Sequence, residues 1–318
     1  ATMALWAIGS PHAKMPLRPR PSLPLRGARP LLVLLLRMTF HALATGAIQC
    51  STSDLSNVHA CETLDLTNAS LSLEQLSKLA DAKVVQELKV DGVVLGPSGA
   101  KALAEALKSM PKLSSLSVSS CSLRTAGAAI LLAGLPPSLA TLRLRHNILG
   151  DEAMRRLAAV LQSSEPLLQE LDLSWNGITA RGARTIADAL QNNSALERLW
   201  LDWNGIKDRG ARAFGEALPY INKLQALHLE HNAIKASGAM ALSSGLRRNS
   251  ALQYISLAHN GVDGETLRAV EAALRAEPAA DEKPPPKAAP LPSVTDESED
   301  LEEISFDDEE SDAGRDEL

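Results

Sequence analysis

A repeat of 28 residues limits this chain to a small set of folds. In the segment 168–278 each block carries apolar residues at its first, fourth and sixth positions and a polar amide at its ninth. The apolar triplets are Leu168, Leu171 and Leu173, then Leu196, Leu199 and Leu201, then Leu224, Leu227 and Leu229, then Leu252, Ile255 and Leu257, and the amides are Asn176, Asn204, Asn232 and Asn260. A constant period of this kind predicts a stack of equivalent units, each packing on its neighbours.

The first half of each block predicts a short strand. Leu171 and Leu173 alternate, so both side chains point to one side of an extended backbone. One strand of this length cannot bury that side alone, whereas parallel strands stacked at about 4.8 Å can. Asn176 stands where the chain turns away, and its amide both donates and accepts hydrogen bonds. A column of such residues is predicted to satisfy backbone groups at every turn, with Cys121 taking the same place in an earlier block.

The second half of each block predicts a helix. Ile186 and Leu190 are four residues apart, as the apolar positions of one helical face are. The pair Gly182-Ala183 recurs one and two blocks later. Small residues at this place are expected to let helix and strand backbones approach closely.

The pattern L-x-x-L-x-L-x-x-N resembles the leucine-rich repeat, and the length of 28 residues is most similar to the ribonuclease-inhibitor subtype. The resemblance implies an α/β fold: a right-handed curved solenoid, or horseshoe, with parallel strands on the concave face and helices on the convex face. It also implies that the chain binds a protein partner and is not an enzyme. Similar repeats occur in ribonuclease inhibitors, NOD-like receptors and Ran GTPase-activating proteins.

Three segments are predicted along the chain. Residues 54–280 form a domain of about eight repeats, of which the early ones, beginning at Cys61, Val85 and Leu113, are degenerate. Residues 1–53 are a basic, acid-free leader, interpreted as disordered or as a targeting segment, with residues 38–60 capping the first repeat. Residues 281–318 are a Pro-rich linker followed by an acidic tail, both predicted to be disordered.

Charge is segregated along the chain. Residues 1–53 carry six Lys or Arg and no acid, residues 54–295 carry 25 of each sign, and residues 296–318 carry 13 acids and one Arg. The repeat domain is therefore neutral, which argues against a nucleic-acid partner. The six-residue apolar run Leu31–Leu36 is far shorter than the roughly 20 residues that a membrane span requires, and Arg37 interrupts it, so no span is predicted.

The signals for a compartment conflict. Cys50, Cys61 and Cys121 are read as neither a disulfide framework nor a metal site, which favours a reducing compartment and hence the cytoplasm. The Arg-rich leader is compatible with an organelle transit segment or a secretory signal. The final residues Arg315-Asp316-Glu317-Leu318 resemble a variant retrieval signal of the endoplasmic reticulum, so an organelle or the lumen of the endoplasmic reticulum stays as the alternative.

No motif for catalysis or for a cofactor is found, and no cofactor is predicted. Gly96, Gly99 and Lys101 are too close together for a phosphate-binding loop. His228, Glu230 and His231 would lie along one strand edge, where they could hold a metal. No further ligand is evident, so we interpret them as surface residues of a binding face and predict no metal site.

The candidate site is the side of the strands that faces away from the core leucines. The third, fifth and seventh positions of each block point to this side, with the eighth at its edge. The predicted partner-binding residues are Arg143, Arg145, His146, Asp172, Trp175, Arg198, Trp200, Asp202, Trp203, His228, Glu230, His231 and Tyr254. Aromatic and Arg side chains are frequent anchors of protein interfaces. A competing interpretation is that Trp175 and Trp203 only shield the strand ends.

The sequence therefore predicts a monomeric interaction scaffold with no catalysis of its own, whose protein partner it does not name. The alternative is a GTPase-activating protein for a Ran-like small GTPase, because that family also combines such repeats with an acidic tail. Against this alternative, no repeat carries the inserted Arg-bearing loop expected of that family. Arg143 and Arg145 fall on a regular strand instead.

Overall fold

The structure, a computed structural model, describes residues 49–51, 55–163 and 167–276. Most of the basic leader, the Pro-rich linker, the acidic tail and the carboxy-terminal tetrapeptide lie outside the described residues. The predictions for those segments stay predictions.

Within these ranges nine strands form one parallel sheet, and their order in the sheet follows their order in the chain. The strands are β1 Gln49–Ser51, β2 Thr63–Asp65, β3 Glu87–Lys89, β4 Ser115–Ser117, β5 Thr141–Arg143, β6 Glu170–Asp172, β7 Arg198–Trp200, β8 Ala226–His228 and β9 Tyr254–Ser256. Equivalent residues of successive blocks pair directly, so that Leu171 stands beside Leu199 and Leu199 beside Leu227. The repeat thus sets the register of the sheet.

In the same part of the chain eight helices alternate with the strands. They are α1 Leu73–Lys78, α2 Gly96–Leu107, α3 Arg124–Ala133, α4 Gly150–Leu161, α5 Ala180–Leu190, α6 Lys207–Ala217, α7 Ala236–Leu246 and α8 Gly264–Arg275. Short 3₁₀ segments occur at Leu55–Ala60, Leu79–Asp81 and Leu218–Tyr220. This alternation confirms the predicted α/β solenoid. Among the described residues, no helix has the length and apolar character needed to cross a membrane.

One continuous core lies between the sheet and the helices. The strand leucines Leu171, Leu199 and Leu227 are fully buried, and so are the helical residues Ile186 and Phe214 that pack towards them. The apolar positions at strand and helical spacing are therefore the core positions, as the sequence predicted.

The asparagine column is confirmed and its hydrogen bonds run between blocks. The Asn204 Oδ1 atom accepts the backbone N–H groups of Asn176 and Ile178, each at 3.0 Å. Its Nδ2 atom donates to the carbonyl oxygens of Leu173 at 3.1 Å and Leu201 at 2.9 Å. Each amide thereby joins two repeats at a turn whose backbone groups would otherwise lack partners.

Cys121 fills the column one repeat before the asparagines begin, as predicted. Its Sγ atom donates to the carbonyl oxygen of Val90 at 3.0 Å. Burial raises the pKa of the Cys121 thiol to about 12, so the group stays protonated and unreactive.

The prediction for the recurring Gly-Ala pairs was wrong about what they approach. A Cβ atom on Gly238 would lie 2.9 Å from the Cα atom of Asp208, and one on Gly210 would lie 3.0 Å from the Cβ atom of Ala183. Asp208 and Ala183 belong to the preceding helices α6 and α5. The small residues bring neighbouring helices together, because helices pack about 8–10 Å apart whereas the strands of the same repeats are only about 4.8 Å apart.

The interpretation of the cysteines was also wrong, because Cys50 and Cys61 form a disulfide with a Cα–Cα distance of 5.8 Å. Cys50 lies in β1, opposite Leu64 of β2. The 3₁₀ segment Leu55–Ala60 returns the chain to the start of β2, so two cysteines 11 residues apart meet at the first strand pair. Disulfides persist in oxidising environments, so the cysteines no longer favour a reducing compartment.

Candidate binding surface on the strands

The side of the sheet opposite the core leucines, which we call the strand face, carries the predicted site. Side chains that alternate with the leucines, such as Glu170 and Asp172 around buried Leu171, emerge on it. The register sets Asp172 beside Trp200 and Trp200 beside His228. All 13 predicted partner-binding residues belong to the five blocks that contain β5 to β9, so the sheet brings them onto one surface.

Three rings in the middle of the strand face form a line, which we call the inner row: Trp200, His228 and Tyr254. The rings of Trp200 and His228 are stacked, with centroids 5.2 Å apart and planes at 19°. The rings of His228 and Tyr254 are 5.0 Å apart and tilted by 43°. Burial lowers the pKa of His228 despite the nearby carboxylates of Glu230 and Asp172, so its ring is neutral at pH 7.

A second line of rings, the outer row, runs along the ends of the strands. Its members are His146, Trp175, Trp203, His231 and His259. The centroid distances along the row are 6.0, 4.2, 3.6 and 4.3 Å, and all contacts but the first are stacked. His259 was missing from the predicted site, although its position 28 residues after His231 was a usable signal.

The backbone of the outer row is strained at each ring. Trp175 has a φ angle of 61° and Trp203 one of 57°, in the left-handed region, and the three histidines of the row share it. For a bulky residue this conformation costs on the order of 1 kcal/mol relative to the right-handed form. The two indoles are still 37% and 42% exposed, so the row does not bury them in return.

Two of the predicted arginines are compensated within the sheet. The Arg198 Nε atom donates to the Glu170 Oε1 atom at 3.0 Å, and its NH2 group also contacts that oxygen. Arg143 lies 3.6 Å from the other oxygen of Glu170. The charges of these two residues therefore serve to hold β5, β6 and β7 in register. They leave less free positive charge on the strand face than the sequence suggested.

Three acidic residues form what we call the carboxylate row: Asp172, Asp202 and Glu230. Their hydrogen bonds are local. The Asp202 Oδ1 atom accepts the Glu230 backbone N–H at 2.7 Å, the Asp172 Oδ1 atom accepts the Ser174 backbone N–H at 2.9 Å, and the Ser256 hydroxyl donates to Glu230. In the part of the chain that the structure describes, no Lys, Arg or His nitrogen lies within 4.0 Å of these carboxylates.

The ionised form of Asp202 is disfavoured in the folded protein. Burial raises the pKa of Asp202 to about 6, and the carboxylates of Glu230 and Asp172 add to the effect. The backbone N–H of Glu230 and the charge of Arg145 offset it only in part. Titratable groups perturbed in this way cluster at functional sites.

The metal interpretation of His228, Glu230 and His231 gains no geometric support. His228 stacks in the inner row, His231 stacks in the outer row, and Glu230 accepts the Ser256 hydroxyl. Among the described residues, no group of three or more His, Cys, Asp or Glu is arranged to hold a metal ion.

The remaining predicted residues, Arg145 and His146, lie where the ring-bearing blocks of β5 to β9 meet the block of β4. Arg145 and His146 line an open cavity of about 270 Å³ together with Ser120 and Trp175. On the other side of this cavity the strand face of β4 carries only small groups, and the Ser117 hydroxyl donates to Asp91 at 2.7 Å.

Comparison with protein families agrees with this geometry. A model described as "Leucine Rich repeat" matches residues 166–187, 192–215 and 220–243. The chain contains leucine-rich repeats. The repeats are of the ribonuclease-inhibitor type, as are those of its relatives.

The relatives differ widely in size. Human leucine-rich repeat-containing protein 73 is 38% identical over 122 residues, which cover 36% of this chain and 39% of that protein. Mouse protein NLRC5 is 33% identical over 128 residues, covering 32% of this chain and 7% of the relative. Ran GTPase-activating protein 1 of Xenopus laevis is 30% identical over 141 residues, covering 41% and 24%. The matched segments thus span well under half of these relatives.

Proposed function

We propose that this chain is an interaction scaffold that binds a protein partner on the strand face of β5 to β9. Leucine-rich repeats generally mediate protein–protein interaction. The single observation that carries the proposal is the pair of ring rows, which place eight aromatic or imidazole rings on one side of the sheet.

The energetics of these rings support a role beyond folding. Three of the four Trp of the chain, Trp175, Trp200 and Trp203, lie on the strand face. Trp175 and Trp203 occupy a left-handed backbone conformation that favours small or amide side chains. Large aromatic groups that cost strain and remain exposed gain most when a partner covers them, and Trp, Tyr and Arg dominate interface energetics.

Capture experiments with the full chain test the proposal. Trp200→Ala should weaken binding of captured proteins by about 2 kcal/mol, or roughly 30-fold. The matched control is Met240→Ala, which also removes a large side chain, one that is 49% exposed on helix α7. If Met240→Ala abolishes capture and Trp200→Ala does not, the partner binds the helices and the proposal is wrong.

The similarity to the Xenopus Ran GTPase-activating protein favours one second candidate, activation of a Ran-like GTPase. Some GTPase-activating proteins supply an arginine that accelerates hydrolysis by about 10³- to 10⁵-fold. Arg145 is exposed on the strand face and would take this role. A single-turnover assay with Ran and GTP decides: acceleration that Arg145→Ala removes and Arg181→Ala retains supports this candidate, and no acceleration eliminates it.

A further inference from the structure

We propose that the partner presents an arginine-bearing basic segment, and that an arginine side chain enters between the inner and outer rows and is bound by the carboxylate row. This inference rests on the proposed function, because it names the chemistry of the partner that the strand face receives.

In the blocks of β7 and β8 an acidic residue that follows the strand lies between two rings in the sequence. In one block Trp200 belongs to the inner row, Asp202 to the carboxylate row and Trp203 to the outer row. The next block repeats the order with His228, Glu230 and His231. The stacked rings of each row turn their faces towards one another, so an arginine side chain in this channel would meet ring edges on both sides and carboxylates between them. Arginine suits such a channel, because its methylene stem can pack against the rings while its guanidinium forms forked hydrogen bonds to the carboxylates.

The charge balance of the strand face selects a cation. Glu170 is neutralised by Arg198 and Arg143. Asp172, Asp202 and Glu230 have no such partner within 4.0 Å among the described residues. The unbalanced negative charge therefore lies at Asp202 and Glu230, in the channel between the ring rows, and at Asp172, which stands beside Trp200 and next to Arg143 in the register of the sheet.

The neighbouring groups agree with this choice. The ring of His228 is neutral at pH 7, because burial lowers its pKa, so the inner row adds no positive charge to the channel. Of the nearby cations, Arg145 stands at the edge and offsets the charge of Asp202 only in part. A phosphate or an acidic peptide would be repelled by three carboxylates.

Binding of a cation would also offset the unfavourable ionisation of Asp202 in the free protein. The pKa of Asp202 is about 6 because burial and like charges oppose its ionisation. An opposite charge within about 4–6 Å favours the ionised form. Binding is therefore coupled to the loss of a proton near pH 6, and affinity should rise as the pH increases from 5 to 7.

The test measures binding of a defined peptide to the full chain. The probe is a fluorescein-labelled 12-residue Gly/Ser peptide with four arginines, and its matched control carries four citrullines, which keep the shape and lose the charge. The strand-face variant is Asp172→Asn, Asp202→Asn and Glu230→Gln combined, since amide oxygens still accept the hydrogen bonds of Ser174, Glu230 and Ser256. The control variant is Glu105→Gln, Glu216→Gln and Glu271→Gln combined, which removes the same charge from the helices α2, α6 and α8.

The arginine peptide should bind the wild-type chain at least about tenfold more tightly than the citrulline peptide. The strand-face variant should lose at least about tenfold in affinity, and the helix variant should stay within about twofold of wild type. Equal losses in both variants would mean that the peptide follows overall negative charge, including that of the acidic tail, and would overturn the proposal. So would the absence of arginine-specific binding to the wild-type chain. Thermal unfolding of each variant controls for folding.

The outcome also separates this inference from the proposed function. If capture of proteins depends on Trp200 but is unchanged by the three strand-face amides, the cation inference is wrong and the scaffold proposal stands. If capture does not depend on Trp200, the scaffold proposal itself fails.

Discussion

The two ends of the sheet share one backbone pattern and differ in the side chains on the strand face. Strands β2 to β4 and β5 to β9 pair in the same parallel register, with fully buried Leu88 in β3 and Leu199 in β7. At the ninth position of the block the early repeats carry Ala69, Val93 and Cys121, whereas the later ones carry asparagine throughout. The strand face carries polar and charged side chains without rings in the early part, such as Glu87 and Lys89 of β3, and is lined with rings in the later part.

This difference shows which features folding requires. Because β2 to β4 stack without the ring rows, the rings are not needed to build the solenoid. The apolar triplet is common to both ends, so it is the feature that the fold depends on. Asparagine at the ninth position adds hydrogen bonds to the turn, because its amide both donates and accepts. Cys121 occupies the same place with a single sulfur donor.

Loss of a core leucine should have the largest effect and should not distinguish the two ends. Leu199→Ala and Leu88→Ala should each cost about 2–5 kcal/mol of unfolding free energy, because both remove a fully buried side chain from one continuous core. Urea unfolding measures the loss. Hydrogen exchange should show it concentrated around the substituted repeat, and a uniform loss of protection over all repeats would contradict nearest-neighbour stability.

Reduction of the disulfide should distinguish the two ends. The Cys50–Cys61 bond closes a short loop with a sequence separation of 11 residues, which corresponds to about 3 kcal/mol in the chain-entropy model. Cys50→Ser should raise hydrogen exchange in β1 and β2 and leave β7 to β9 unchanged. Equal exchange in β1 with and without the disulfide would show that the bond contributes nothing to this end of the sheet.

The asparagine column should matter more in the later repeats than its counterpart does in the early ones. Asn204→Ala removes an amide that accepts two backbone N–H groups and donates to the carbonyls of Leu173 and Leu201. We expect a cost of about 1–3 kcal/mol, because turn amides lose their partners. Cys121→Ala should cost about 1 kcal/mol, since its thiol donates only weakly. A larger loss for Cys121→Ala would reverse the comparison.

The smallest effect should be a stabilisation in the ring-lined part. The pKa of Asp202 is raised in the folded chain, so protonation of this carboxyl stabilises the folded state. This stabilisation is fully present below the unfolded-state pKa of 3.8 and is lost as pH rises through the folded-state pKa of about 6. Asp202→Asn should therefore be more stable than wild type by roughly 1 kcal/mol at pH 7.5, after allowance for solvent screening of this half-buried group, and gain little at pH 4. A matched pH series of urea unfolding checks the difference, and equal stability at both pH values would contradict it.

The repeat determined what the sequence could predict. The positions of Leu171, Asn176 and Ile186 within the period predicted the strand, the turn and the helix, and the structure has all three. The disulfide was not predictable in this way, because its partners meet only once β1 pairs with β2.

The finer features of the site depended on distances between blocks that the period alone does not give. Trp203 and His231 stack at 3.6 Å because the shared left-handed turn aims successive eighth-position side chains along one line. The pairing of Arg198 with Glu170 likewise follows from the register of β6 and β7. The sequence placed these side chains on one surface but did not show which charges remain free.

Fluorine NMR can determine whether a partner covers the ring-lined part of the strand face, as we propose. In a Trp6→Phe background grown with 5-fluorotryptophan, the three resonances report Trp175, Trp200 and Trp203 alone, because the chain has four Trp. Addition of an unlabelled captured partner should shift or broaden the Trp200 resonance and at least one of the other two. If all three resonances stay unchanged while gel filtration shows that the complex has formed, the partner binds elsewhere and the strand-face proposal is wrong.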